Sequence, residues 1–400
     1  MWRSCRDCCY NFNKISLNIG VLMTHAVIAG YARSPFSMAN KGELTRVRSD
    51  DMAAEVIQGL IKKTGVRTED IEDLILGCAF PEGEQGLNLA RLIVLNANLP
   101  ISIGGVTVNR YCGSSMQSIH QAAGAIMAGA GDVFICAGVE SMTRVPMGGY
   151  NPLPNPKLYE AVPGAYMSMG ETAENIAHRW KISREEQDKF SLLSQQKAAK
   201  AQSDGKLVDE IISIATKNGK VEKDSCLRSD TTLEKLASLK PAFITTGTVT
   251  AGSSSPLTDG ASAVLVCSED YAKKHGLDII ARIKSFAVAG CDPEVMGIGP
   301  VAATKKALVR AGLSIKDIDI IELNEAFAVQ ALACVRDLDI DINKVNLDGG
   351  AIALGHPLGA TGARITGKAA ILLRRESKKY ALSTQCIGGG QGIATILERI

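Results

Sequence analysis

The residues best suited to chemistry begin with Cys112, in the stretch VNRYCGSSM from Val108 to Met116. It stands directly before Gly113, Ser114 and Ser115, with a small-residue helical pattern, QSIHQAAGAIMAGA, behind it. A cysteine so placed sits where a strand turns into a helix. The free N–H groups and positive dipole end of that helix are expected to lower the thiol pKa and favour the thiolate. Such a thiolate is a nucleophile with backbone donors beside it for a developing oxyanion. The plainer alternative is a buried structural cysteine, since this residue type is among the most buried.

The other chemically able residues lie far downstream. NEAF places Asn324 and Glu325 at the end of an expected strand. LDGGAIALGHPLGATGAR, Leu347 to Arg364, is glycine-rich and holds His356 between Gly355 and Pro357. That histidine stands before a helix as Cys112 does, and it can serve as the base or ion-pair partner of the thiol. STQCIGGGQGIATILE puts Cys386 after an apolar strand and before Gly388, Gly389 and Gly390, which permit close backbone approach and can present N–H groups. Each has an ordinary explanation alone: a packed histidine, a turn-capping asparagine, a space-filling cysteine. Their joint appearance at loop ends argues for one site.

Alternating helices and strands must position these groups. A first strand is expected at Ala26 to Gly30, a helix over Asp51 to Thr64, a strand at Ile71 to Leu76 and a helix over Leu87 to Asn98. A short strand at Val106 to Val108 leads to Cys112, and the helix behind it is expected to reach about Ala130. Asp132 to Gly138 reads as a strand, apolar from Val133 onward as a strand buried on both faces would be. This alternation predicts an α/β fold with a layered sheet. Between Thr143 and Met167 the texture changes to a proline- and glycine-rich loop of the kind that is usually functional. An amphipathic helix follows from Ser183, its N-cap, to Gln202.

The closing third repeats the opening one. GVRTEDIEDLILGCAF, Gly65 to Phe80, aligns without a gap to GLSIKDIDIIELNEAF, Gly312 to Phe327. Two similar halves around an insertion follow, with ligand sites expected at carboxyl ends of strands where the units meet. The units read as residues 23–141 plus 257–278, an insertion 142–256 and a second half 279–400.

Composition narrows the function. A chain of 400 residues with a formal net charge of +2 gives no bulk electrostatic signal for nucleic acid or a membrane surface. No apolar run is long enough for a transmembrane helix. Eleven scattered cysteines in a chain this long do not form a disulfide framework and point to a reducing compartment. Cys5, Cys8 and Cys9 have a C-x-x-C spacing without a second pair, which disfavours a zinc site. They fall in a segment, residues 1–22, that reads as a leader outside the fold. A cytoplasmic location is expected, with the mitochondrial matrix as the alternative if the leader is a presequence.

Taken in order, CGSSMQ, GVESMT, NEAF, GGAIALGHPLGATGAR and CIGGGQG resemble the motifs of the thiolases, the acetyl-CoA acyltransferases. The resemblance covers Met23 to Ile400. It implies duplicated βαβαβαββ halves in an α-β-α-β-α arrangement, with the insertion covering coenzyme A. In its terms Cys112 carries the acyl group as a thioester, His356 activates it, and Cys386, taken to have a near-neutral pKa, moves a proton on or off the acetyl Cα. Asn324 holds a water in an oxyanion site shared with His356, and the backbone N–H groups of Cys112 and Gly388 form a second such site. Ala251, Ser255, Phe243, Arg228, Ala326, Phe327 and Met169 match positions that line the substrate or coenzyme A. Coenzyme A is a substrate, and no metal or redox cofactor is implied.

The implied reaction is thiolysis of 3-ketoacyl-CoA in fatty-acid β-oxidation, reversible as a Claisen condensation. Short-chain biosynthetic members carry His before the Met-Gly pair, where this chain has Ser168, Met169 and Gly170. That departure tilts the expectation towards longer substrates and away from acetoacetyl-CoA synthesis. A non-catalytic acyl-CoA- or lipid-binding relative is the alternative of another class, and the intact set Cys112, Asn324, His356 and Cys386 argues against it. The family also implies a homodimer or homotetramer, and a β-oxidation hydratase–dehydrogenase is a conceivable partner.

Overall fold

A computed structural model describes residues 24–400, so the leader and its three cysteines lie outside the described residues. The strands are β1 (Ala26–Arg33), β2 (Ser37–Met38), β3 (Asp73–Gly77), β4 (Gly104–Val108), β5 (Val133–Ser141), β6 (Ile214–Thr216), β7 (Gly219–Val221), β8 (Thr258–Ser268), β9 (Ala281–Gly290), β10 (Ile320–Leu323), β11 (Tyr380–Ile387) and β12 (Gln391–Glu398). The helices that matter here are α1 (Ser49–Thr64), α2 (Leu89–Asn96), α3 (Ser114–Met127), α4 (Pro156–Ala161), α5 (Met169–Trp180) and α6 (Arg184–Ser203). They continue with α7 (Leu233–Ala237), α8 (Glu269–His275), α9 (Gly299–Ala311), α10 (Ala328–Asp337), α11 (Ala351–Leu354) and α12 (Leu358–Arg375).

The main sheet runs β10-β11-β12-β9-β1-β8-β5-β3-β4, with β2 added beside β8. It divides where β9 meets β1, a junction of only Val27 with Arg282 and Ile28 with Ala281. On each side the connectivity is the same. β3 lies parallel to β4 and β5, and β5 antiparallel to β8. Likewise β10 lies parallel to β11, and β11 antiparallel to β12. The counterpart of β4 in the second half is a single parallel bridge, Ile321 to Val345.

The repeat reappears as matched geometry. Gly65 and Gly312 both close a helix in the left-handed region, at φ 68° and 66°. Lacking a Cβ, glycine adopts this conformation without strain. A single 3₁₀ turn follows each, Thr68–Asp70 and Ile315–Asp317, and then the strands β3 and β10. Expected and observed boundaries differ by a few residues, as strand and helix ends fray. The stretch 143–167 is not all loop: it contains the short α4, begun by Asn155 and Pro156, and a 3₁₀ turn at Pro163–Tyr166. Ser183 caps α6 with a full capping box to Glu186.

The apolar run of β5, Val133 to Val139, serves two layers at once. Val133, Ile135, Ala137 and Val139 pack outward with α1 and α2, while Phe134 and Cys136 pack inward. Period-two alternation with both faces covered is why the strand reads as a continuous apolar run. The inward face meets α3 and α12, which lie together between the two parts of the sheet, and α9 and α10 cover the far side. No helix among the described residues is long and apolar enough to cross a membrane.

The central helix α12 carries charge into this interior. Lys368, 2% exposed, bonds Glu210 at 2.9 Å and Asp348 at 2.7 Å, and Arg33 bonds Glu210 and Asp224. Arg364 bonds Glu322 at 2.8 Å. Burial nevertheless pushes the Glu322 carboxyl up to about 7, against the pull of Arg364 and Lys368. A carboxyl raised on folding adds stability below its unfolded pKa and loses it as pH rises towards the folded value. Chemical denaturation at pH 5 and pH 7.5 is therefore expected to show the parent losing on the order of 2 kcal/mol relative to Glu322→Gln over that interval. Parallel behaviour of the two proteins would mean that Glu322 is ionised throughout.

Candidate active site

The elbow at Cys112 is built by local hydrogen bonds. Tyr111 sits at φ 43°, a left-handed conformation that costs a non-glycine residue roughly 1–3 kcal/mol. Asn109 Oδ1 accepts its N–H at 2.8 Å, and the Ser114 hydroxyl donates to its carbonyl at 2.6 Å. The Gln385 side-chain amide, from β11, donates to the Cys112 carbonyl. These bonds aim the thiol away from α3 and towards the second half.

His356 is fixed from three sides. Its N–H donates to Thr258 Oγ1 at 3.0 Å, and its Nδ1 lies 2.6 Å from Thr361 Oγ1. The Thr361 hydroxyl donates to the Pro357 carbonyl at 3.0 Å, so its oxygen is free to accept from Nδ1–H. This assigns the tautomer: Nδ1 carries the proton and Nε2 the lone pair. Nε2 faces Asn324 Nδ2 at 3.4 Å. The Asn324 N–H extends the β10–β11 ladder by bonding Thr384 O at 3.0 Å. Its Oδ1 is buried and has no protein partner among the described residues. Glu325 faces the other way and accepts from Ser194, Asn346 and Ile352, holding the loop that leads to His356.

Cys112, His356 and Cys386 line one cavity of about 170 Å³. Four methionines, Met142, Met147, Met169 and Met296, form much of its wall, and thioethers adapt well to ligands of varied shape. Phe327 closes the floor and meets Phe243 edge-on, ring centroids 5.8 Å apart. Phe243 is 44% exposed and stands at the mouth. Gly170 lies beneath that ring, where a Cβ would come within 2.0 Å of Phe243 Cδ1. The segment 253–255 is zipped to the floor by Ser255 N to Ala326 O, 3.0 Å, and Ala328 N to Ser253 O, 2.8 Å. Upstream, the buried Glu174 carboxylate accepts the N–H groups of Thr248 and Val249. Ser168 lines the cavity and caps α5, so its hydroxyl is bonded to Glu171.

Met169, Phe243, Ser255, Ala326 and Phe327 thus join the three catalytic candidates around the cavity. Asn324 stands behind His356, and the Gly388 N–H faces the Cys112 sulfur. Ala251 and Arg228 are not brought there: Ala251 is exposed, and neither residue lines the cavity.

The expected lowering of the Cys112 pKa is overturned. Burial pushes this thiol up to about 12, with a smaller push from Glu140, while the N–H groups of Gly388 and of Cys112 itself pull it back. Desolvation here outweighs the helix dipole and the backbone donors. Nor is Cys386 near neutral: burial and then the neighbouring Cys112 hold its thiol well above the ordinary range. Burial and then Arg364 depress His356 to about 3. These shifts all favour protonated thiols and a neutral imidazole over an ion pair. Met142, Met296, Thr258, Thr361, Gln385 and Glu140 escaped the sequence reading. Glu140 and Thr361 lay within the motifs already noted, GVESMT and GATG.

A duplicated, layered α/β fold with two thiols and an imidazole at the seam defines a class, and the chain belongs to the thiolase family. The model of the thiolase N-terminal domain matches residues 26–270 and that of the C-terminal domain residues 277–399. A 3-ketoacyl-CoA thiolase of Bacillus subtilis (strain 168) is 48% identical over 389 residues, covering 94% of this chain and 100% of the relative. One from Shewanella frigidimarina (strain NCIMB 400) is 50% identical over 388 residues, with coverage of 94% and 100%. The crystal structure of human mitochondrial 3-ketoacyl-CoA thiolase in complex with CoA matches with a TM-score of 0.87 at 41% identity, covering 95% of this chain and 99% of that one.

Proposed function

We propose that this chain is a 3-ketoacyl-CoA thiolase, an acyltransferase that cleaves 3-ketoacyl-CoA with coenzyme A to acetyl-CoA and a shortened acyl-CoA in fatty-acid β-oxidation. The observation that carries the reading is the shared cavity of Cys112, His356 and Cys386. In the first step Cys112 Sγ attacks the 3-keto carbon as its proton passes to His356 Nε2. The N–H groups of Cys112 and Gly388 stabilise the resulting oxyanion. The Cα–Cβ bond then breaks. The acetyl-CoA enolate, its oxygen held by protonated His356 and a water on Asn324 Oδ1, takes a proton from Cys386. In the second step the coenzyme A thiol gives its proton to Cys386 and attacks the acyl thioester. Cys112 leaves as thiolate and recovers its proton from His356.

Residues 142–256 serve as the cover over coenzyme A, with Met169, Phe243 and Ser255 beside the reactive end of the arm. Ala251 lies along the pantetheine arm and Arg228 near its adenine end, both outside the cavity. A homodimer forms through the edge strand β4, where Val106 is exposed and Leu87 and Ile101 are 89% and 80% exposed. The cytoplasm suits the eight cysteines of the described residues, all free. Coenzyme A-dependent thiolysis of 3-ketoacyl-CoA from about four to sixteen carbons tests the reading. Turnover that rises with chain length is expected, because the methionine-lined wall favours added methylenes by up to about 0.8 kcal/mol each. Activity confined to acetoacetyl-CoA would instead indicate the biosynthetic reaction, and acyl-CoA binding without turnover would indicate a binding protein.

A further inference from the structure

One buried carboxylate touches both halves of the site without lining the cavity. Glu140, at the end of β5, is 1% exposed. Its Oε2 accepts the Ala79 N–H and the Gly359 N–H, both at 2.8 Å. Its Oε1 accepts from Gln85 Nε2 at 2.9 Å and the Phe80 N–H at 3.2 Å, with Cys78 Sγ at 3.7 Å. No cation pairs with it among the described residues; amide donors and one thiol satisfy it.

The donors come from two different places. Gly359 lies in the first turn of α12, three residues beyond His356, where a negative charge also suits the helix N-terminus. Ala79 belongs to the loop after β3, and its carbonyl accepts Asn109 Nδ2 at 2.9 Å. Asn109 in turn holds the N–H of Tyr111, the residue before the nucleophile. A short chain of bonds therefore runs from Gly359, through Glu140, Ala79 and Asn109, to the Cys112 elbow.

We propose that Glu140 is a positioning residue for thiolysis: its carboxylate ties the loop after β3, and through Asn109 the Cys112 elbow, to the start of α12 just beyond His356. The inference rests on the reading of the site as a thiolase. Near-attack geometry tolerates little error, and a displacement of about 1 Å can cost about 100-fold in rate. The carboxylate also adds to the electrostatics of the elbow, its charge opposing a thiolate on Cys112 less strongly than burial does.

Glu140→Gln replaces one acceptor oxygen with an NH₂ group that confronts two of the N–H donors. With the variant shown to be folded by its melting curve, kcat is expected to fall about 10- to 100-fold while KM for coenzyme A moves less than about threefold. Iodoacetamide alkylation of Cys112, followed against pH, is expected to shift to lower pH because a neighbouring charge is gone. Glu140→Asp keeps the charge and shortens the reach. It is expected to lose kcat by at least about fivefold and to leave the alkylation profile where the parent has it. A folded Glu140→Gln within about twofold of parental kcat, with an unmoved alkylation profile, would overturn the proposal, even if its melting temperature fell. Should Glu140→Gln not fold, parental kcat in Glu140→Asp would overturn it equally. Failure of the parent to turn over any 3-ketoacyl-CoA would sink the proposed function alone, and the alkylation profiles would still test the electrostatic part.

Discussion

Cys112→Ala is expected to abolish thiolysis, lowering kcat/KM by at least about 10⁴-fold, while the fold and acyl-CoA binding survive. The loss of a covalent nucleophile leaves only binding and oxyanion stabilisation, worth roughly 10³–10⁴ over the reaction in water. The fold should tolerate the change because alanine removes a single sulfur atom from the cavity wall, beside Ala79, Met142 and Leu358. Mass spectrometry after incubation with acetyl-CoA gives the sharper readout: the parent should gain an acetyl group on Cys112, and Cys112→Ala should gain none. An acetyl adduct appearing on Cys386 in the variant would exchange the roles assigned to the two thiols. The protonation states add a kinetic signature. With the thiol pushed up to about 12, alkylation of the parent should keep accelerating as pH rises through the neutral range. A plateau below about pH 8 would mean that the thiolate is already formed, contrary to the burial argument.

Arg33→Met is expected to cost roughly 3–5 kcal/mol of stability, a large share of a typical total of about 5–15 kcal/mol. The side chain is 1% exposed and donates to Glu210 at 2.8 Å and to both oxygens of Asp224, at 2.6 and 2.8 Å. Methionine fills the space of the arginine stem and strands the acids. Asp224 keeps only the Phe36 N–H, and Glu210 keeps Lys368. Breaking one partner of a buried set costs far more than the set contributes over an apolar replacement, because an uncompensated charge remains. Arg179→Met makes the control: its pairs with Asp292 and Glu294 are about half exposed, where such bonds are worth about 0–1 kcal/mol. Equal losses in the two variants, measured by chemical denaturation, would refute the burial argument.

Much of the scaffold is readable from residue order because its signals are local. Gly65 and Gly312 announce helix ends through a backbone only glycine favours, and the apolar run of β5 announces a strand covered on both faces. The site's membership is also legible, since Cys112, His356 and Cys386 each stand at a boundary between element and loop. Their protonation is not. The environment that raises Cys112 and depresses His356 is assembled from β8, α12 and the loops after β3 and β11, and spacing along the chain carries no record of that burial. Arg33, Glu210 and Lys368 fail to stand out for the same reason, since a charged residue that ends inside looks like one that ends in water.

The contacts of α12 with β5 and α3 have a mechanical meaning. A Cβ on Gly359 would lie 2.7 Å from Val139 O, one on Gly138 would lie 2.1 Å from Gly359 O, and one on Gly362 would lie 2.2 Å from Met116 N. Backbone rests on backbone, with no side chain between to act as a spring. Side chains such as Phe243 line the cavity's outer wall, whereas no side chain stands between the elements that carry the nucleophile and its base. The enzyme can therefore let the substrate's tail search a yielding, methionine-lined wall while the reacting atoms meet a bench that does not flex.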